Sequence, residues 1–301
     1  MSHGGSAPTE VGEAGKRSFQ TSDGRALSYE IRGSGKTLIL LPGGPGLDPS
    51  AFFANVELPG IQQLVFCPRG TGDSDPPGSP DGYRIAGYVQ DVEELRGHLG
   101  VEQLTLCGSS HGASVALAYA GSYPHHVDRM ILAAGPARMD GSFLQALEEA
   151  RERFRTSANR GSERLDAADI AAASLRTAPD EDARRRSLRM MMECFVAHPG
   201  PKEAAYLDRL SEAPVNFAAP GPMGQEIMSG LDLLRESDKI RAPALILSGE
   251  LDARVPSAHM QEISDTLPDA RFIRFPDVGH LIHVEAGERW GTALRAFLQT
   301  R

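Results

Sequence analysis

Short, almost wholly apolar runs recur along the chain at residues 37–41, 64–67, 104–107, 130–133, 244–247 and 272–275, each followed by Gly- or Pro-rich punctuation. Runs of this kind lack a polar alternate face, so they suit strands buried on both sides, as in a parallel sheet covered by helices. Longer stretches with helical spacing lie between them, at residues 85–99, 111–123, 257–266 and 285–299. The alternation predicts βαβ units with right-handed crossovers, hence an α/β fold whose ligands gather at the carboxyl ends of the strands.

One interval breaks the rhythm. From residue 138 to 236 there is no strong strand run, only amphipathic helical pieces such as Phe143, Leu144, Leu147 and Phe154, and the segment around Leu188, Met192 and Phe195. A stretch this long without strands predicts a helical insertion, a cap folded over the active edge of the sheet. The expected organisation is a flexible N-terminal tail over 1–15, a core over 16–137 and 237–301, and the cap over 138–236. The cap carries 14 Lys and Arg against 17 Asp and Glu. With charges so nearly balanced, Arg184, Arg185 and Arg186 read as a solvated face rather than an anion site. No internal repeat is evident.

Composition narrows the function classes. A chain of 301 residues with 41% hydrophobic content can bury a substantial core. A net charge of −9 and a pI near 5.5, with no basic run interleaved with aromatics, argue against a nucleic-acid partner. No apolar stretch approaches the roughly 20 residues of a membrane span, and residues 1–17 lack an apolar leader core, so the expected location is cytoplasmic with no membrane partner. Cys67, Cys107 and Cys194 are too few and too scattered for a disulfide framework or a zinc site, and read as reduced thiols.

The candidate chemistry centres on Ser110. Gly108, Ser110 and Gly112 fall on the G-x-S-x-G spacing directly after an apolar run, the signature of a strained strand-to-helix turn that presents a serine hydroxyl. Serine is a weak nucleophile at neutral pH and needs an imidazole to take its proton and a carboxylate to hold that imidazole's tautomer. Asp252 follows the run at 244–247, and His280 follows the run at 272–275, each on a turn past a strand end. Glu250 and Asp277 compete as the acid, and Asp140 is a remote alternative. His283 competes as the base; loop placement favours His280. His111 adjoins the serine but diverges from it at a helix start, so its side chain fits the pocket wall better than the base.

In this order Ser110, Asp252 and His280 resemble the triad of the α/β-hydrolases. The resemblance runs from about Phe19 to Phe297, interrupted by the cap. It is carried by Pro42-Gly43-Gly44-Pro45-Gly46, Pro68-Arg69-Gly70-Thr71-Gly72-Asp73-Ser74, the elbow at Ser110, and the paired loops Gly249-Glu250-Leu251-Asp252 and Gly279-His280. The first two elements are most similar to the prolyl-iminopeptidase-like branch. The resemblance implies a mostly parallel eight-stranded sheet flanked by helices, with a helical cap after the sixth strand. It also selects Asp252 as the acid, through Gly249, Val255 and Pro256. The chain departs from that branch at Pro42, where His is usual, and at Cys67, where Asp is usual; both normally brace loops beside the site. Arg69 reads as a brace between loops.

The expected reaction is acyl transfer to water, cleaving a small ester, amide or lactone, or an N-terminal aminoacyl amide, of a small-molecule or short-peptide substrate. Backbone N–H groups of His111 and Gly44 are the expected oxyanion hole, each worth about 3 kcal/mol in barrier. No metal or organic cofactor is expected, since H-E-x-x-H, phosphate-loop and dinucleotide patterns are all missing from the sequence. An aminopeptidase would need cap carboxylates for the substrate ammonium, and Glu193, Glu203 and Glu226 are the candidates. Met190, Met191, Met192 and Phe195 could form an adaptable pocket wall or ordinary cap core. The alternative from another class is a non-catalytic ligand-binding protein on the same fold. A dehalogenase or epoxide hydrolase would want Asp at position 110.

Overall fold

Eight strands form one sheet in the order β1-β2-β4-β3-β5-β6-β7-β8 in the computed structural model, which describes residues 11–299 apart from residue 176. They are β1 (Gly15–Gln20), β2 (Ala26–Arg32), β3 (Lys36–Leu41), β4 (Ile61–Cys67), β5 (Leu104–Ser109), β6 (Val127–Ala133), β7 (Ala244–Gly249) and β8 (Ala270–Phe275). Pairing is antiparallel from β1 to β2 and from β2 to β4, and parallel from there to β8. In the middle strands both faces are buried. Ile39 and Leu41 join one apolar cluster, with Tyr88, Val115 and Met260. Leu38 and Leu40 join the other, with Trp290, Leu294 and Phe297. This two-sided burial is why β3 to β7 are legible as apolar runs. At the sheet edge β1 buries only Phe19, and no apolar run marks it.

Helices α1 (Pro49–Phe52), α2 (Ile85–Leu99) and α3 (His111–Ser122) precede β6. On α2 the buried Ile85, Tyr88, Val89, Val92 and Leu95 form one face, and Gly100 ends the helix in the left-handed region at φ 65°. Between β6 and β7 run α4 (Gly141–Ser157), α5 (Gly161–Leu175), α6 (Glu181–Met191), α7 (Pro201–Glu212) and α8 (Pro220–Met228). The insertion leaves and returns through a narrow neck, where Arg138 and Asp232 form an antiparallel bridge and Leu233 N–H donates to Ala137 O at 2.9 Å. One part of its core, Phe154, Leu165, Ala168 and Cys194, packs on Leu251 and Ala253 in the loop after β7.

The chain closes with α9 (Ser257–Thr266), α10 (Ile282–Glu285) and α11 (Gly287–Gln299). The helix expected over 285–299 forms as α11 and starts two residues later, at Gly287 with φ 42°, because Glu285 closes α10. Of the tail expected over 1–15, residues 1–10 lie outside the described residues. Residues 11–15 are not a free tail: Val11 N–H donates to Gln62 Oε1 and Gly12 O accepts from Gln62 Nε2, both at 2.8 Å, and β1 begins at Gly15. Among the described residues no helix is long and apolar enough to cross a membrane.

Candidate active site

Ser110 lies between the end of β5 and the start of α3 with φ 52° and ψ −119°, a conformation that costs a non-glycine residue about 1–3 kcal/mol. The surroundings enforce it. Ser110 N–H donates to Ala133 O at 2.8 Å. A β-carbon on Gly108 would fall 2.2 Å from Gly112 O, and one on Gly112 would fall 2.2 Å from Leu41 O. Neither flanking position can carry a side chain while the turn keeps this path. Gly43, in the loop after β3, packs against the serine: its β-carbon would sit 3.4 Å from Ser110 Cβ. Gly44, the expected donor, follows at φ 134°.

Asp252 and His280 converge on Ser110 from the ends of β7 and β8. Their loops are tied together, with Glu250 N–H donating to Phe275 O and Leu251 N–H to Val278 O, both at 2.9 Å. His280 Nε2 lies 3.0 Å from Ser110 Oγ, and His280 Nδ1 lies 2.8 Å from Asp252 Oδ2. A carboxylate only accepts, so the proton sits on Nδ1 and the Nε2 lone pair faces the serine hydroxyl. The other oxygen of Asp252 accepts from the N–H groups of Arg254 at 2.7 Å and Val255 at 3.0 Å. Asp252 and His280 are buried, with 1% and 4% of their surface exposed. Phe195 meets the His280 ring edge-on at 5.2 Å, and Arg254 stacks on the other side chain of that pair, 5.5 Å from the Phe195 ring centre.

The competing residues have other partners. Asp140 caps α4, accepting from Phe143 N–H at 3.0 Å and pairing with Arg138. Asp277 occupies a turn at φ 59°, and Glu250 contributes the backbone link just described. His283 is buried, with Nε2 3.1 Å from Phe52 O and 3.2 Å from Tyr206 Oη, and burial pulls it down to about 4. Burial likewise pulls His111 down to about 4, and its ring packs edge-on against Tyr88 at 4.6 Å. All three cysteines are buried free thiols; burial pushes Cys67 up to about 11 and Cys107 to about 12. Among the described residues no three His, Cys, Asp or Glu side chains converge to hold a metal ion.

The residues singled out in the sequence between positions 138 and 236 divide. Glu193 pairs with Arg189 at 2.5 Å, Glu203 accepts from Gly200 N–H at 3.0 Å, and Glu226 accepts from Ile85 N–H at 2.7 Å. Met192 is buried, Met191 packs at its side and Met190 is exposed, so the methionines are mostly packing, whereas Phe195 borders the relay. Arg184 and Arg186 are exposed. Arg185 is not a solvated residue: it donates to the carbonyls of Ser211, Glu212 and Ala213 at the end of α7.

A sequence profile described as the α/β hydrolase fold matches residues 36–287. The chain belongs to the α/β-hydrolase family. Among curated relatives, this hydrolase is 28% identical over 278 residues to a protein named proline iminopeptidase from Clostridium botulinum, covering 89% of this chain and 92% of that one. Among solved structures it resembles an esterase from Exiguobacterium antarcticum, with a TM-score of 0.69, 21% identity and coverage of 94% and 99% of the two chains. A proline iminopeptidase from Mycobacterium smegmatis also gives a TM-score of 0.69, at 20% identity and 94% and 97% coverage.

Two carboxylates of this hydrolase, the buried Asp91 and the half-buried Glu285, escaped sequence reasoning. Asp91 holds Arg69 through Nε at 2.8 Å, NH2 at 2.7 Å and the backbone N–H at 3.1 Å, and Arg69 in turn donates to Gly82 O. The loop brace assigned to Arg69 is thus completed from α2, not from position 67. The available signal was a lone charge within the apolar face of Tyr88, Val92 and Leu95. Glu285 follows the His280 loop in the run Leu281-Ile282-His283-Val284-Glu285, where no local pattern sets it apart.

Proposed function

We propose that this hydrolase cleaves a small ester, amide or lactone through an acyl-enzyme on Ser110. The observation that carries the reading is the continuous relay from Ser110 Oγ through His280 to Asp252, with links of 3.0 and 2.8 Å. Ser110 attacks the substrate carbonyl as His280 Nε2 takes its proton, and Asp252 stabilises the resulting imidazolium. The oxyanion is held by the N–H of His111, at the first turn of α3 where no intrahelical acceptor exists and the helix dipole favours an anion, and by the N–H of Gly44. His280 then protonates the leaving group, and water attacks the acyl-enzyme by the same route in reverse. Residues 138–236 act as a cap over a core of 16–137 and 237–301.

Two supports pull on substrate class. The similarity to a proline iminopeptidase favours an N-terminal aminoacyl amide. Against it, the three cap carboxylates that could hold an ammonium are engaged with Arg189, Gly200 and Ile85. Neutral esters and lactones are therefore the preferred substrates. A fluorophosphonate probe tests the reading. Wild-type protein should be labelled and Ser110→Ala should not; an unlabelled wild type would leave a non-catalytic binder. Turnover of proline p-nitroanilide above that of short p-nitrophenyl esters would restore the peptidase assignment.

A further inference from the structure

The loop carrying His280 is gripped from behind by a carboxylate that no step of the proposed chemistry uses. Glu285, at the end of α10, accepts from Gly279 N–H through Oε2 at 2.7 Å. Through Oε1 it accepts from the N–H groups of Ala197 at 2.8 Å and His198 at 3.3 Å. One oxygen thus holds the residue directly before the base, and the other holds the insertion. Two further contacts join the same segments: Leu281 N–H donates to Phe195 O at 3.0 Å, and the Phe195 ring abuts the His280 imidazole. The junction is tight, since a β-carbon on Gly279 would lie 2.8 Å from Ala197 N and 2.9 Å from both Phe195 O and Glu285 Oε2.

We propose that Glu285 is a positioning residue that couples the seating of residues 195–198 to the aim of His280, so that the base faces Ser110 only when this part of the insertion is docked. The proposal rests on the serine-hydrolase reading. Hydrogen bonds from N–H groups to an ionised carboxylate are strong and directional. Lifting the 195–198 segment removes two of the three donors and the Phe195 contact, and frees the loop whose position sets the imidazole. A misplacement of about 1 Å in such a group can cost about a hundredfold in rate.

Protonation works on the same clamp. Burial outweighs the three donors and pushes Glu285 up to about 7. The charged groups facing it are Arg164 from α5, and Lys202 and Glu203 from α7, while His198 reaches it through its backbone N–H. A protonated carboxyl puts an O–H where an N–H needs an acceptor, so the clamp is complete above about pH 7 and loses an arm below it.

The test measures fluorophosphonate labelling and ester hydrolysis of the full chain against pH, with thermal melts, for wild type, Glu285→Gln and Glu285→Asp. Gln keeps the shape but only one acceptor oxygen; Asp keeps the charge but is too short to span both segments. Both variants should remain folded, label about tenfold to a hundredfold more slowly at pH 8, and lose kcat rather than gain KM. The acid limb of the wild type should fall more steeply than one proton allows, and that of Glu285→Gln should follow a single proton. Folded variants that melt lower yet react within twofold of wild type, on the same pH profile, would overturn the proposal by leaving Glu285 a purely structural role. An unlabelled wild type would instead fail the serine reading beneath it.

Discussion

Asp252→Asn probes the relay where the geometry dictates the outcome. One carboxylate oxygen accepts two backbone donors, from Arg254 at 2.7 Å and Val255 at 3.0 Å, and the other meets His280 Nδ1 at 2.8 Å. Asparagine offers one acceptor oxygen, and the two backbone donors claim it, so the NH2 group turns toward His280. Nδ1 must then accept, the ring proton moves to Nε2, and an N–H points at Ser110 where a lone pair is needed. Turning the amide the other way would set NH2 against two N–H donors, at about 1–3 kcal/mol for each donor left unsatisfied in the buried site. The expected loss is about 10⁴-fold in kcat, the size found when the acid of such a relay becomes an amide, or about 5 kcal/mol of barrier. Hydrolysis of p-nitrophenyl acetate measures it. Because the residues are isosteric, the melting temperature should move by only a few degrees. A folded Asp252→Asn protein that keeps activity within tenfold of wild type would show that residue 252 does not set the tautomer, and the relay as drawn would be wrong.

Burial holds neutral His283 and His111 near about 4, below the ordinary 6.5, so each contributes stability that is whole above pH 6.5 and is lost as pH falls toward 4. At pH 5 the loss is about 2 kcal/mol for each. Glu285, pushed up to about 7, titrates with the opposite sign, stabilising the fold as pH falls below that value. The informative quantity is therefore the difference between proteins: denaturant melts at pH 7.5 and 5 should show His283→Gln losing about 2 kcal/mol less than wild type, and equal losses would refute the assignment. Gly112→Ala should cost about 3 kcal/mol or prevent folding, since its β-carbon would meet Leu41 O at 2.2 Å and Pro42 O at 2.7 Å; a melting temperature within 2 °C of wild type, roughly the shift expected for a change below 1 kcal/mol, would mean the elbow is looser than it looks. Glutamine at 193, 203 or 226 should leave the ratio of ester to proline-anilide turnover unchanged. Selective loss of anilide turnover in any of the three would turn the reading toward an aminopeptidase.

What could be read from the sequence depended on whether a residue's role is enforced locally. The middle strands are buried on both faces, so their apolar runs are unambiguous; α2 shows one apolar face, and α3 is apolar and buried nearly all round. At the sheet margin β1 has only Phe19 to bury and β2 mixes buried and polar positions, so neither stands out as a run. Ser110 is legible because two glycines within two residues are a steric condition of its turn. Asp252 and His280 are legible because strand ends place them. Asp91 and Glu285 are not, because their partners are remote: Arg69 is 22 residues from Asp91, and Ala197 is 88 residues from Glu285. The same holds for Arg185, whose acceptors lie at the end of another helix. Only the fold brings these groups together: a lone charge on an apolar helix face marks Asp91 as unusual, but nothing in a local window names its partner or that of Glu285.

The way the insertion uses its charges bears on selectivity. Glu193, Glu203 and Glu226 hold the insertion to itself and to α2, and Asp232 and Arg138 close its neck. The side chains that border the relay are apolar, Phe195 against His280 and Phe52 against Gly43. On the proposed acyl-enzyme reading, a site built this way would recognise its acyl group by shape, and a methylene in an apolar pocket is worth only about 1–3 kcal/mol. Discrimination between acyl chains one methylene apart should therefore be modest, within about two hundredfold in kcat/KM for each methylene added from acetyl to hexanoyl p-nitrophenyl esters. Replacing Phe195 by Ala should move the optimum toward longer chains by enlarging that wall. An unchanged chain-length profile in Phe195→Ala would place the acyl group elsewhere and remove the argument from shape.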